Sequence, residues 1–155
     1  MGGFFLWLWQ LPQHLLGLLL IAATRAEKRE LDGTAYWHFE RRNWFSRFVS
    51  GVSLGGYILL PERRDLEATV PHEWGHSRQS VRLGWLYLPT VGIYSSVFCN
   101  LWDRVFHKKW NTYDRVYWYY KTRWTERWAD RLGRVDRDAY LRRFRRPADS
   151  RYPEA

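Results

Sequence analysis

The chain has 155 residues, enough for one domain with an appended membrane segment and too few for two ordinary domains. Its formal charge is +9, and its 11 Trp, 10 Tyr and 8 Phe favour surfaces that are part apolar and part wet. A lone cysteine, Cys99, excludes an intrachain disulfide and a thiolate-only metal site. No zinc-finger spacing or ribonucleoprotein signature accompanies the basic charge, so nucleic acid is not the expected partner.

From Met1 to Thr24 no side chain is charged, whereas arginines gather late, from Arg131 to Arg151. That asymmetry points to an anionic lipid surface. Residues 1–24 read as a membrane-spanning or interfacial helix, with Pro12 as a kink or interruption. Gln10, Gln13, His14 and Gly17 recur at helical spacing and should face protein. Arg25, Lys28 and Arg29 follow, and the positive-inside rule puts the downstream chain on the cytoplasmic side.

Residues 25–146 read as one α+β domain, mainly helical, with a small antiparallel sheet. Tyr36–Phe39 and Val52–Leu60 are its expected strands, Gly55 and Gly56 marking a bulge or close backbone approach. A helix is predicted over Leu66–Leu83 with Gly84 as its stop; Pro71 belongs in the first turn, which starts the regular helix near Thr69. Residues 83–102 carry no charge. A long helix is expected over Lys109–Leu132, then a short basic one over Asp136–Arg145. Residues 147–155 read as a frayed tail.

His72-Glu73-Trp74-Gly75-His76 has the pattern HExxH. On a helix, residues four apart share a face, so both imidazoles can reach one ion, and neutral imidazole suits zinc. Glu73, beside the first ligand, can take a proton from a water activated by the metal. A catalytic zinc takes a third protein ligand. His38 and His107 are candidates without a supporting pattern. Glu126 is a better one, because Asp130 lies four residues on and shares its face. A carboxylate there can accept a hydrogen bond from a ligand imidazole and fix its tautomer. Ala129 between them allows close helix approach. The plainer alternatives are histidines that only pack, and carboxylates paired with Arg123, Arg127 or Arg134.

HExxH followed some fifty residues later by ExxAD resembles the glutamate-zincins, especially the membrane-embedded CAAX-prenyl-protease and heat-shock-protease type. More closely, the chain resembles a group of small bacterial proteins. The shared features are Trp9 to Gln13, Ser53 to Gly55 with Tyr57-Ile58, His72 to His76 with Gln79-Ser80, and Thr125 to Asp130. The resemblance implies a minimal zincin-like fold, His72, His76 and Glu126 as zinc ligands, Glu73 as general base and Asp130 behind a ligand. It also implies an edge strand that pairs with an extended peptide substrate, here Ser53, Leu54, Gly55, Gly56 and Tyr57. The location implied is the bacterial cytoplasmic membrane. For the oxyanion, Tyr113, Tyr117, Tyr119, Tyr120, Arg123 and His107 are all possible donors.

The two half-motifs flank residues 83–102. A single crossing of a membrane there would separate His76 from Glu126, so this stretch must return, lie in the plane or be core. The expected function is a membrane-associated zinc metallohydrolase, a peptidase acting on a peptide or protein. The alternatives are a non-catalytic membrane protein with structural zinc and an interfacial lipid-binding protein with a decayed site.

Overall fold

The structure is a computed structural model, and it describes residues 2–40, 42, 44–47, 50–62 and 65–152. The chain opens with two helices, α1 (Gly2–Trp9) and α2 (Leu11–Thr24), which meet at 82°. The expected single N-terminal helix is therefore a bent pair. Pro12 sits in the first turn of α2, where its missing N–H costs nothing, and Gln10 stands at the break. Among the described residues no single helix is long and apolar enough to cross a membrane. As the spacing predicted, Gln10, Gln13, His14 and Gly17 are the inward stripe and are buried.

Two hairpins follow. Strands β1 (Glu27–Leu31) and β2 (Thr34–Phe39) pair antiparallel around Asp32-Gly33, whose φ values of 47° and 76° are those of a tight hairpin turn. Strand β1 escaped the sequence reading because its charged run Glu27-Lys28-Arg29-Glu30 lacks apolar alternation; such charges suit an exposed sheet edge. The predicted Val52–Leu60 strand is two strands, β3 (Val52–Leu54) and β4 (Tyr57–Pro61), folded back at Gly55 with φ 63°. The sheet order is β1-β2-β4-β3. It is mixed and not antiparallel, because β4 runs parallel to β2. The chain leaves β2, makes the β3–β4 hairpin, and returns its second arm in the original direction. One sheet face packs on the next helix through Tyr36, Ile58, Leu60 and Val70.

That helix, α3 (Leu66–Leu83), carries the HExxH motif. It begins three residues before Thr69, so Pro71 lies inside it. The missing N–H at Pro71 leaves one carbonyl of the first turn without its helical donor. Gly84, with φ 53°, ends the helix as expected. The N-terminal helices clasp this end. The Trp9 indole donates to the Val81 carbonyl at 2.9 Å, Ser80 to Gln10 at 2.9 Å, and Gln13 to the Gly84 carbonyl. Carbonyls that every helix C-terminus leaves unpaired are thereby satisfied.

Residues 83–102 neither return nor disappear into the core. After one tight turn the chain forms a widened π-helical segment, Leu88–Cys99, continuous with α4 (Asn100–Phe106). Val91, Ser95 and Cys99 face inward, while Ile93, Val97 and Phe98 are exposed. The predicted Lys109–Leu132 helix is broken. It comprises α5 (Thr112–Tyr117), a π-helical turn at Trp118–Thr122, an extended Arg123 and α6 (Trp124–Gly133). Last comes α7 (Arg137–Leu141), shorter than the expected Asp136–Arg145. Within the expected tail, Ser150 donates to Asp114 at 2.6 Å and Tyr152 stacks on Tyr117; residues 153–155 lie outside the described residues.

Candidate metal centre

The site forms where α3 crosses α6. The two helices approach closely because small residues stand at the crossing. A methyl group on Gly75 would collide with the Ala129 carbonyl, and one on Gly133 with the Pro71 carbonyl. His72 and His76, one turn apart on α3, face Glu126 in the first turn of α6. Nε2 of His72 lies 3.1 Å from Glu126 Oε2, and Nε2 of His76 lies 3.4 Å from the same oxygen. One ligand atom from each residue falls within 4.8 Å of the others, and all three residues are buried. The separation of fifty residues in sequence is thus closed in space, and a His/His/Glu cluster able to hold a metal ion is present.

Each imidazole is oriented from behind. His72 Nδ1 donates to Asp130 Oδ1 at 2.6 Å. Asp130 is in turn gripped at both oxygens by Arg137, from Nε at 2.8 Å and from Nη2 at 2.5 Å. The Arg137 guanidinium also lies over the Tyr120 ring at 3.6 Å. His76 Nδ1 donates to Gln79 Oε1 at 2.8 Å, and the Gln79 amide nitrogen donates to the Thr125 carbonyl at 2.7 Å. That second bond fixes which end of the amide faces His76, so Nδ1 must carry the proton and Nε2 is the nitrogen left for a metal. A metal ion would find two Nε2 donors and a carboxylate oxygen already converging.

The electrostatics fit. Burial pushes the His72 imidazole down, but its hydrogen bonds to Asp130 and Glu126 outweigh this and raise it to about 9. Burial likewise opposes protonation of His76, and the Glu126 charge more than compensates. Against burial, the two imidazoles hold Glu126 well below the usual carboxylate range. Burial would raise Asp130 too, yet Arg137 and His72 keep it low. All these shifts favour positive charge between the imidazoles and Glu126, the place that a cation would take.

Glu73 lines the same small cavity, of about 50 Å³. The Ser53 hydroxyl lies 2.8 Å from Glu73 Oε2 and 2.7 Å from the Glu73 carbonyl, so it can donate to either. Gly51 lets the backbone pass close by, since a Cβ there would come within 2.6 Å of Glu73 Oε1. Of the five residues expected to bind substrate, Ser53 and Leu54 line the cavity, together with Ser50, Gly51 and Val52. Gly55, Gly56 and Tyr57 do not; the Gly55-Gly56 turn and Tyr57, at the start of β4, pack against His14 and Gly17 of α2. Strand β3 is the sheet edge and its outer side has no strand partner among the described residues.

His38 sits on β2 beside Arg25 and Arg42, outside the cluster. His107 is paired with Asp103 at 2.7 Å and stacked on Trp110. Of the six possible oxyanion donors, only Tyr119 and Tyr120 line the cavity. Arg123 instead binds Asp103 at 2.6 Å and the Cys99 carbonyl at 3.0 Å. Ser95, which donates to Glu126 Oε1, and Tyr87, which donates to the Ser53 carbonyl at 3.0 Å, were not anticipated as site residues. Gln79 was not anticipated as a site residue either, although its place three residues beyond His76 on the same helix could have marked it. Arg137 had no such signal, because nothing in a basic C-terminal run marks which arginine turns inward.

No protein-family model, curated protein or solved structure matches the chain.

Proposed function

We propose that the chain is a zinc-dependent hydrolase, a peptidase working at a bacterial cytoplasmic membrane. The convergence of His72, His76 and Glu126, with Glu73 in the wall of the same cavity, carries this reading. A zinc ion bound there would supply Lewis acidity and bring the pKa of water toward about 7. Glu73 takes the proton from the attacking water, and Ser53 holds its carboxylate toward the cavity. Tyr119 and Tyr120 offer hydroxyls for the developing oxyanion. The open edge of β3 beside Glu73 favours a peptide as substrate, because an extended chain can add to it as a further strand. The uncharged N-terminal segment supplies the membrane association, with anionic lipid as partner.

Metal analysis and a peptide-library digest with the Glu73→Gln variant test this reading. The purified protein should hold about one zinc per chain, His72→Ala should lose it, and Glu73→Gln should keep the metal and lose cleavage. Cleavage unchanged in Glu73→Gln removes the proposed base. A wild type that binds zinc yet cuts nothing is the structural-zinc protein instead. If His72→Ala changes neither metal content nor stability, the metal centre itself is refuted.

A further inference from the structure

Among the described residues, the exposed large apolar side chains concentrate in two stretches. Every one of them lies in residues 4–19 or 85–106, apart from Val81 and Trp124. Phe5, Leu19, Trp85, Phe98 and Phe106 are each more than half exposed. The two stretches are joined where they meet, since the Trp85 indole donates to the Leu8 carbonyl at 3.0 Å and the Trp9 indole donates to the Val81 carbonyl just before the second stretch.

Among the described residues no single helix in either stretch is long and apolar enough to cross a bilayer. A helix the length of α2 rises about 21 Å, short of the roughly 30 Å hydrocarbon core. The 82° bend keeps α1 from extending it as one straight helix, so together the pair has the shape of a broken span, a re-entrant loop or an in-plane segment. The inner faces are already committed. Gln13 and His14 are buried against the protein, and Ser95 is bonded to Glu126 in the metal centre. Residues 2–24 and 83–102 carry no charge, while Arg25, Arg82, Arg104, Lys108 and Lys109 stand exposed where these stretches end. An uncharged, aromatic-rich face with a cationic margin matches an anionic lipid leaflet. A second copy of this chain would bring the same cations against that margin.

We propose that both stretches lie in the plane of one leaflet and form a monotopic lipid-binding face that does not span the membrane. The metal centre then stays wholly on one side. This rests on the membrane association in the proposed function and is independent of hydrolysis.

The test uses the full chain, in its metal-free form as well, with phosphatidylglycerol/phosphatidylcholine vesicles. In a Cys99→Ser background, single cysteines replace Gly3, Leu19, Phe98, Lys109 or Glu30. The protein should sediment with the anionic vesicles at least about tenfold more tightly than with phosphatidylcholine alone. A membrane-impermeant maleimide added outside should label Gly3→Cys and Lys109→Cys to the same extent. Spin labels at Leu19→Cys and Phe98→Cys should become accessible to oxygen in lipid, and one at Glu30→Cys should stay in water. Labelling at only one of Gly3→Cys and Lys109→Cys means a span and overturns the proposal. So does a protein that stays in the supernatant. Dipolar coupling between Phe98 labels of two chains, with no transfer to lipid, means that a second copy covers the face.

Discussion

The α3–α6 crossing and the outer face of residues 4–19 and 85–106 reverse the usual arrangement of a soluble domain. The crossing buries His72, His76, Glu126, Asp130 and Arg137, each below 10 % exposure, while Phe98 and Leu19 stand more than 60 % exposed. Burying this many ionisable groups is costly unless every one is paired. Here each is paired, and the arrangement is poised for a cation. Apolar exposure on this scale is equally unfavourable in water and marks an interaction surface. On the proposals above, the polar interior serves metal binding and the apolar exterior lipid, and each can be broken separately.

The largest effect should come from the crossing. Alanine in place of an exposed helical glycine stabilises by about 1 kcal/mol. Gly75→Ala should do the opposite, by about 3 kcal/mol, because its methyl group meets the Ala129 backbone carbonyl, which cannot rotate away. Thermal unfolding and zinc content measure this together. A stabilised variant with full zinc would show that the two helices are not in close contact.

Next in size is the response to pH. His72 is raised to about 9, above its unfolded 6.5. Its contribution to the metal-free fold is therefore complete below pH 6.5 and is lost as pH rises through 9. Glu126 is depressed, so its contribution is present above about 4.5 and is lost in acid. Chelated protein should melt highest between about pH 5 and 6.5. Zinc must displace the His72 proton, so its affinity at pH 7 should be about fiftyfold below that at pH 9. Titrations that find no pH dependence would remove the coupling between proton and metal.

How far the sequence could be read follows the same division. The HExxH spacing, Glu126 with Asp130, and the inward stripe of α2 were legible because each is a periodic pattern on one helix. The mixed sheet was not, since the parallel pairing of β2 with β4 depends on how the chain crosses between them. Nor was the break at Arg123, where an aromatic-rich helix pattern continues through an extended residue. Binding of Asp130 by Arg137 depends on a turn after Gly133 that places α7 against the site.

Arg137→Ala therefore tests a contact that no spacing revealed. Without the guanidinium, Asp130 holds His72 less firmly, and metal affinity should fall by about 10–100-fold. Arg137→Lys should recover part of the loss. Competition titration with zinc and the d–d absorption of bound cobalt report it. An unchanged cobalt spectrum and affinity would make Arg137 a purely structural residue.

The smallest effect should be on the outer face, and its smallness is informative. Phe98→Ser removes a large side chain that is 64 % exposed, so it should change melting in lipid-free solution by no more than about 0.5 kcal/mol. A fully buried phenylalanine would cost several times that amount. The same variant should weaken sedimentation with anionic vesicles, since the lost contact is with lipid and not with protein. If instead Phe98→Ser lowered the melting temperature as a core substitution does, and left vesicle binding intact, this face would be interior surface. The contrast between a polar centre and an apolar exterior would then fail on its outer side while the metal site stood.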